Sequence, residues 1–197
     1  SMQQAARVSQ QTAFFHLARH LLEDTDEKKA YPITIALTTW VSDVKAGHEE
    51  KKQPIIAHLP MVSLSELVLV PNINLNALEK IKPYLTALPP KTQVNLNTAP
   101  EELLMAMANG PNAVKYMEEL ITARGKKGID SLNTVQAILK KLSIQKEDVT
   151  TDSTYFLNIG HIQKDMQALT LYSVLERIKN KNGTYTVHLV HETWNTD

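Results

Sequence analysis

Between Ser9 and Leu22, the residues Ala13, Phe14, Leu17, Ala18, Leu21 and Leu22 recur at intervals of three and four, which gathers apolar side chains on one face of a helix. The polar run from Glu23 to Lys29 ends that face. A second helix is expected from about Ile33 to Val44, followed by a solvated loop through Gly47 and the charged stretch His48 to Lys52. Ser63-Leu64-Ser65-Glu66 has capping-box spacing, in which the Ser63 hydroxyl and the Glu66 carboxylate satisfy free amides at a helix start. A short helix to Leu69 follows. The chain turns at Pro71-Asn72 and resumes a helical face at Leu75, Leu78 and Ile81, which ends or kinks near Pro83 because proline lacks an amide hydrogen.

Val94 to Asn97 reads as extended, and Thr98-Ala99-Pro100-Glu101 reads as a second capping box with Pro100 in the first turn. The helix it opens carries Leu103, Leu104 and Met107, and Asn109-Gly110-Pro111 breaks it. A further helix from Ala113 to Arg124 stops at Gly125, and Asp130-Ser131 starts one more that runs through Leu142. Beyond Thr150, aromatic and β-branched residues alternate with polar ones over Tyr155 to Gln163, Met166 to Ile178 and Tyr185 to Trp194. Asn182-Gly183 marks a hairpin between the last two. The expected class is therefore α+β, with a mostly helical domain over residues 1–150 and a small antiparallel sheet over 151–197.

With 43% hydrophobic residues in 197, the chain can bury a substantial core. Its 21 basic and 21 acidic residues cancel, so no global field draws it to nucleic acid or to an anionic membrane, and partners must be recognised locally. The lack of cysteine removes disulfides, thiol nucleophiles and thiolate metal sites. No apolar run is long enough to cross a bilayer, the longest being short stretches such as Leu67 to Val70. Ser1-Met2 resembles a scar of tag cleavage, so the natural protein is expected to extend upstream.

Candidate chemistry is sparse. His16 and His20 stand at i, i+4, the spacing of two-histidine zinc sites, but Leu17 occupies the position where a zinc protease carries its glutamate. Two histidines on the wet edge of a helix explain the spacing as well. His188 and His191 are expected on opposite faces of a strand. Glu147, Asp148 and Asp152 lie close in sequence and could offer oxygens to calcium, yet the ordered acidic loop of a calcium site is missing and a solvated linker accounts for them. No nucleophile elbow, phosphate loop or dinucleotide fingerprint occurs. No catalytic or cofactor-binding residue is assigned, and metal ligands are left open.

Helix, tight turn, helix occurs twice, around Pro71-Asn72 and around Gly110-Pro111, and resembles the helix-hairpin-helix units that point hairpin amides at DNA phosphates. The first hairpin has no glycine, and its proline has no amide hydrogen to donate. Between Glu101 and Thr150, seven acidic residues balance seven basic ones, with Lys126-Lys127 as a local basic spot. A neutral module has little of the phosphate neutralisation that drives DNA affinity, so these pairs read as structural. A helix-hairpin-helix DNA-binding module of a DNA-uptake protein is the alternative reading.

Three stretches together resemble a known family. They are Val62-Ser63-Leu64-Ser65-Glu66-Leu67 with Val70 beyond, Lys82-Pro83-Tyr84-Leu85-Thr86-Ala87-Leu88-Pro89, and Gln93-Val94-Asn95-Leu96-Asn97-Thr98-Ala99-Pro100-Glu101-Glu102-Leu103-Leu104. Their order and spacing are similar to the K-type minor pseudopilin, the general secretion pathway protein K family of type II secretion. Leu37 to Asp43, with Trp40, matches that family's tryptophan signature loosely. The resemblance implies a pilin-like domain interrupted by a large helical domain, without catalysis, so that 151–197 would be a pilin-type sheet. It implies a place at the pseudopilus tip with the I and J minor pseudopilins, where the subunit helps to start the filament and support secretion. It also implies a periplasmic domain anchored in the bacterial inner membrane through an N-terminal helix upstream of these residues, with no nucleic-acid partner expected.

Some members bind calcium, so calcium stays possible, although the acidic run after Trp40 shrinks here to Asp43. Residues 3–24 would be either the lower half of the pilin helix or the first helix of the inserted domain. Without a pilin helix, a three-stranded sheet is expected to leave an apolar face uncovered, containing Leu169, Leu171, Leu175, Val187 and Leu189. Helices of the block or a second copy would have to cover it.

Overall fold

The computed structural model describes residues 2–24, 28–41, 61, 63–71, 73–89, 92–165 and 167–196. Helix α1, Met2–Leu21, starts upstream of the expected Ser9 and buries Leu17 and Ala18 on the apolar face read from the sequence. Helix α2, Ala30–Trp40, starts three residues before the expected Ile33. The cause is Asp24, whose Oδ2 accepts the amides of Lys29 at 2.8 Å and Ala30 at 2.6 Å and so supplies partners for a helix start that the pattern of apolar residues does not mark. Pro32 fits inside this first turn, where its missing amide hydrogen costs nothing. The expected stretch from Ser42 to Val44, the loop at 47–52 and Asp43 lie outside the described residues.

The Ser63 capping box forms as read: the Ser65 amide donates to Ser63 Oγ at 3.2 Å, and the Ser63 amide donates to Glu66 Oε1 at 3.0 Å. It opens a 3-10 helix, Leu64–Leu69, rather than an α-helix. Helix α3, Leu75–Ile81, is capped by Asn74, whose Oδ1 accepts the Ala77 amide at 3.1 Å. It tightens into a 3-10 turn, Lys82–Tyr84, so that Pro83 falls where the α-helix has already ended. Ala18, Leu22, Ala30, Ile33, Ala77 and Ile81 form the small core that joins α1, α2 and α3.

The extended run is shorter than read. Strand β1 is only Val94–Asn95 and pairs in parallel with β2, Val149–Thr150, a ribbon the sequence did not announce. The chain leaves β1 at once because Asn95 Oδ1 accepts the Asn97 amide at 2.9 Å and the Asn95 carbonyl accepts those of Thr98 at 3.2 Å and Ala99 at 2.9 Å. Thr98 is thereby held in a turn and caps nothing. Pro100 itself takes the N-cap of α4, Glu101–Met107, with extended backbone, and no side chain caps that helix. This corrects the second capping box.

Helix α5, Ala113–Arg124, closes at Gly125, whose φ of 44° lies in the left-handed region that glycine adopts without steric cost. Helix α6, Leu132–Lys141, opens on Ser131, whose Oγ accepts the Asn133 amide at 3.3 Å. The larger core gathers Leu96, Leu104, Met117, Leu120, Val135, Leu139, Leu142 and Val149 between these helices and the β1–β2 ribbon.

The chain divides into two compact units, residues 1–151 and 152–197. The second is an antiparallel sheet of β3, Tyr155–Lys164, β4, Gln167–Lys179, and β5, Tyr185–Thr196, in the order β3-β4-β5. The chain is therefore α+β with a C-terminal three-stranded sheet, as the residue pattern indicated. The β4–β5 turn spans Asn180 to Thr184, with Gly183 at φ 82° and the Asn180 amide donating to Thr184 O at 2.8 Å. Between Val174 and Leu175 the register shifts: Leu175 faces Leu189 while Val174 faces His191, which leaves Val190 as the extra residue of a bulge. His188 faces Glu176 and His191 faces Val174, so the bulge puts both histidines on one face of the sheet. Strict alternation had placed them on opposite faces, and one inserted residue reverses that.

Candidate functional site

The two α1 histidines do not converge on a ligand. His16 Nδ1 lies 3.2 Å from the Ala106 carbonyl of α4, while His20 is exposed. A cleft of about 710 Å³ runs past His16, Arg19, His20, Glu23 and Asp24. Asp24, its buried carboxylate, is engaged by the α2 amides, and burial, which opposes ionisation, is outweighed by the amides of Ala30, Lys29 and Lys28 and by the Lys29 charge. Its carboxyl is thus held below its ordinary value. Among the described residues no group of three or more histidines and carboxylates could hold a metal ion. Glu147 and Asp148 sit in the 3-10 turn Lys146–Asp148, and Asp152 lies 3.9 Å from Arg177 in the sheet unit.

The hairpin between α4 and α5 is built for packing. The Asn109 amide donates to Leu142 O at 2.9 Å, and a Cβ on Gly110 would come within 2.9 Å of the Lys141 carbonyl. Glycine is required there so that the loop can approach the end of α6, and the Asn109 amide is already spent on the Leu142 carbonyl. Lys141 also lies over the Tyr116 ring, its Nζ 4.5 Å from the centroid. The Asn72 half of the first hairpin lies outside the described residues.

Asn97 performs a role that sequence reasoning missed. Its Oδ1 accepts the Ile129 amide at 2.7 Å, and its Nδ2 donates to the carbonyls of Ile129 and Thr151, each at 3.0 Å. One side chain thus ties the turn after β1 to the loop after α5 and to the end of the block. Arg124 Nη1 adds bonds to the carbonyls of Ala99 at 2.8 Å and Leu96 at 3.3 Å. Between the Asn97–Pro100 turn and the Arg124–Gly128 loop lies a cleft of about 580 Å³ lined by Arg124, Lys126 and Lys127. The signal available in sequence was the doubled asparagine of Asn95-Leu96-Asn97, a residue type that closes turns with its side chain.

On the sheet, the register puts Leu169, Leu171 and Leu175 of β4 on the same face as Val187 and Leu189 of β5, the set expected from the alternation. Phe156 faces Leu175 from β3, and Trp194 faces Leu171 from β5. Val187, Leu189 and Trp194 are 60%, 57% and 55% exposed, so the β5 side of this face is apolar and open, while Leu169, Leu171 and Leu175 on the central strand are half-buried. Arg177 lies over the rings of Phe156 and Tyr185, 5.4 and 5.0 Å from their centroids, while its Nη2 donates to the Ser153 carbonyl at 2.8 Å.

These features define an α+β protein whose helical unit packs around cores of its own and whose sheet presents apolar surface, with Asn97, Asp24 and Arg124 holding turns and helix starts. Residues 94–156 match the family described as Type II secretion system (T2SS), protein K. The matched segment starts at the first residue of β1, takes in helices α4 to α6 up to β2, and ends at the second residue of β3. Over this segment the chain is similar to protein K, and of the three stretches that carry the resemblance the match takes in the last, from Val94 to Leu104, which supports a link to type II secretion. No curated protein matches the chain. No helix among the described residues is long and apolar enough to cross a membrane.

Proposed function

We propose that the chain is the part of a K-type minor pseudopilin that lies outside the membrane, acting at the tip of the type II secretion pseudopilus together with the I and J minor pseudopilins. The observation that carries this reading is the protein K match over residues 94–156, which covers the part of the helical unit from β1 to β2 and enters the sheet. The physical logic is steric. A filament shaft repeats one packing arrangement, and a helical block of this size is accommodated at an end, where no neighbour follows. In this reading the C-terminal sheet is the pilin-type domain, its exposed apolar face is the surface that sister elements cover, and the protein turns over no substrate. It resides on the periplasmic side of the inner membrane, anchored through an N-terminal apolar helix.

The balanced charge weighs against a DNA-binding role, because nonspecific DNA affinity rests on neutralising many phosphates. The experiment is a pull-down of this chain with the ectodomains of candidate I and J pseudopilins, run beside a DNA mobility-shift titration. A ternary complex with no salt-sensitive shift is the expected result. Failure to form that complex, together with a shift at moderate salt, would overturn the reading in favour of DNA uptake.

A further inference from the structure

We propose that the cleft between the Asn97–Pro100 turn and the Arg124–Gly128 loop docks a short acidic segment of a partner protein, whose carboxylates are held by Arg124, Lys126 and Lys127. The inference follows from charge and geometry alone and stands apart from the protein K reading. Three cations line the cleft and no acidic residue does. Lys126 and Lys127 are exposed and form no ion pair with a carboxylate among the described residues. One cation near the end of α5 would serve the helix dipole, and the additional ones face a cavity.

The frame that carries these charges is fixed. Asn97 clamps Ile129 through both its amide and its carbonyl, and the Gly128 amide donates to Arg124 O at 2.8 Å. A preorganised loop loses little conformational freedom when a ligand binds, so even a few contacts hold. Arg124 gives both Nη1 hydrogens to the carbonyls of Leu96 and Ala99, which leaves Nε and Nη2 without a partner among the described residues. Those two nitrogens form the planar fork that matches a carboxylate.

The surroundings limit the length of the ligand. Glu101 and Glu102 follow Pro100 at the start of α4, and Asp130 follows Gly128 two residues on. A long polyanion running past the cleft would meet these carboxylates, whereas two or three acidic side chains would not. This favours an acidic peptide over nucleic acid, which needs an extended basic track.

The test is a titration of the full chain with tri-glutamate blocked at both ends, followed through the NMR amide signals of Gly125 and Gly128, with inorganic phosphate and a short DNA duplex as competitors. The expected result is saturable movement of both signals by tri-glutamate. Lys126→Glu/Lys127→Glu should bind about tenfold more weakly, as expected for reversing two exposed charge pairs. Lys140→Glu, an exposed charge reversal elsewhere, should leave affinity unchanged. Should the doubly reversed chain not fold, Lys126→Gln/Lys127→Gln replaces it, with a smaller loss in the same direction. Equal affinity in the double variant, an equal loss in the Lys140 control, or displacement of the peptide by phosphate or DNA at lower concentration would each overturn the proposal.

Discussion

The block from Val94 to Thr150 and the sheet from Tyr155 to Thr196 place their apolar side chains in opposite ways. In the block, Leu96, Leu104, Met117, Leu120, Leu142 and Val149 come from different elements and end fully buried against one another. In the sheet, the described residues that are most buried are polar, Thr170 and Ser173 on the central strand, while Leu157, Ile159, Val187, Leu189 and Trp194 are exposed. The block thus draws its stability from a core of its own. The sheet is held by its hydrogen-bonded ladders and cross-strand pairs, and its apolar surface stays open. The lesson is that a hydrophobic pattern reports which face of an element is apolar and is silent on whether the same unit covers it.

Truncation of single leucines gives the sharpest test of this contrast. Leu104 is 0% exposed, and Leu104→Ala leaves a cavity that the packed helices close only in part, so unfolding should become easier by about 2–5 kcal/mol. Leu189→Ala removes a side chain already facing solvent, and its effect should stay within about 0.5 kcal/mol. Urea denaturation of the two variants measures both. Comparable losses would mean that Leu189 is covered in solution and that the sheet is less open than described. Next in size is Asn97→Ala, which strips partners from the Ile129 amide and from the carbonyls of Ile129 and Thr151. A cost of about 1–3 kcal/mol is expected for the groups left unsatisfied, with faster hydrogen exchange at the Ile129 amide as the local signature.

These particular residues also show what could be read in advance. The helix ends at Gly125 and Ser131, the capping box at Ser63 and the hairpin at Asn182-Gly183 were legible because each is written in a few adjacent residues with one conformational preference. The β1–β2 ribbon was not, since Val94 and Val149 are brought together by the fold of everything between them and neither two-residue strand has a period to detect. The early start of α2 was hidden in Asp24, a charged residue inside a polar run, whose role depends on where Ala30 lies. The side shared by His188 and His191 was misread because a single bulge at Val190 breaks the alternation on which strand faces are assigned. Of the candidate site, the Lys126-Lys127 pair was visible, while the cleft beside it exists only because Asn97 and Arg124 tie two distant turns together.

Two glycines of similar backbone conformation, one in each region, refine the comparison. Gly128 and Gly183 have φ of 80° and 82°, so alanine at either incurs left-handed strain of about 1–2 kcal/mol. A Cβ at Gly183 meets nothing within 4 Å, whereas at Gly128 it comes within 3.2 Å of the Asn97 side chain. Gly128→Ala should therefore cost more than Gly183→Ala, the difference reporting how firmly Asn97 is held. Thermal unfolding of the two variants decides this, and equal costs would mean that the Asn97 clamp yields.

The smallest effects are expected from pH, and they separate the units by sign. Burial opposes ionisation of Asp24, but the Ala30, Lys29 and Lys28 amides and the Lys29 charge outweigh it, so its folded pKa lies below the ordinary 3.8. A depressed carboxyl contributes stability that is complete above its unfolded pKa and is lost as pH falls through the folded one. Tyr155 in the sheet is shifted the other way: burial first, then the hydrogen bond from its hydroxyl to Glu176 Oε1 at 3.1 Å and the Glu176 charge, raise it above 10.0. Its contribution is complete below the unfolded value and is lost as pH rises through the folded one. Asp24→Asn should therefore flatten the stability profile of the helical unit below about pH 4, and Tyr155→Phe should flatten that of the sheet above about pH 10. Thermal melts across both limbs, followed by helical and by near-ultraviolet aromatic circular dichroism, measure the two changes. An acid limb unaltered by Asp24→Asn would show that the α2 amides do not need the ionised carboxylate, and an alkaline limb unaltered by Tyr155→Phe would show that the Glu176 bond contributes nothing to the sheet.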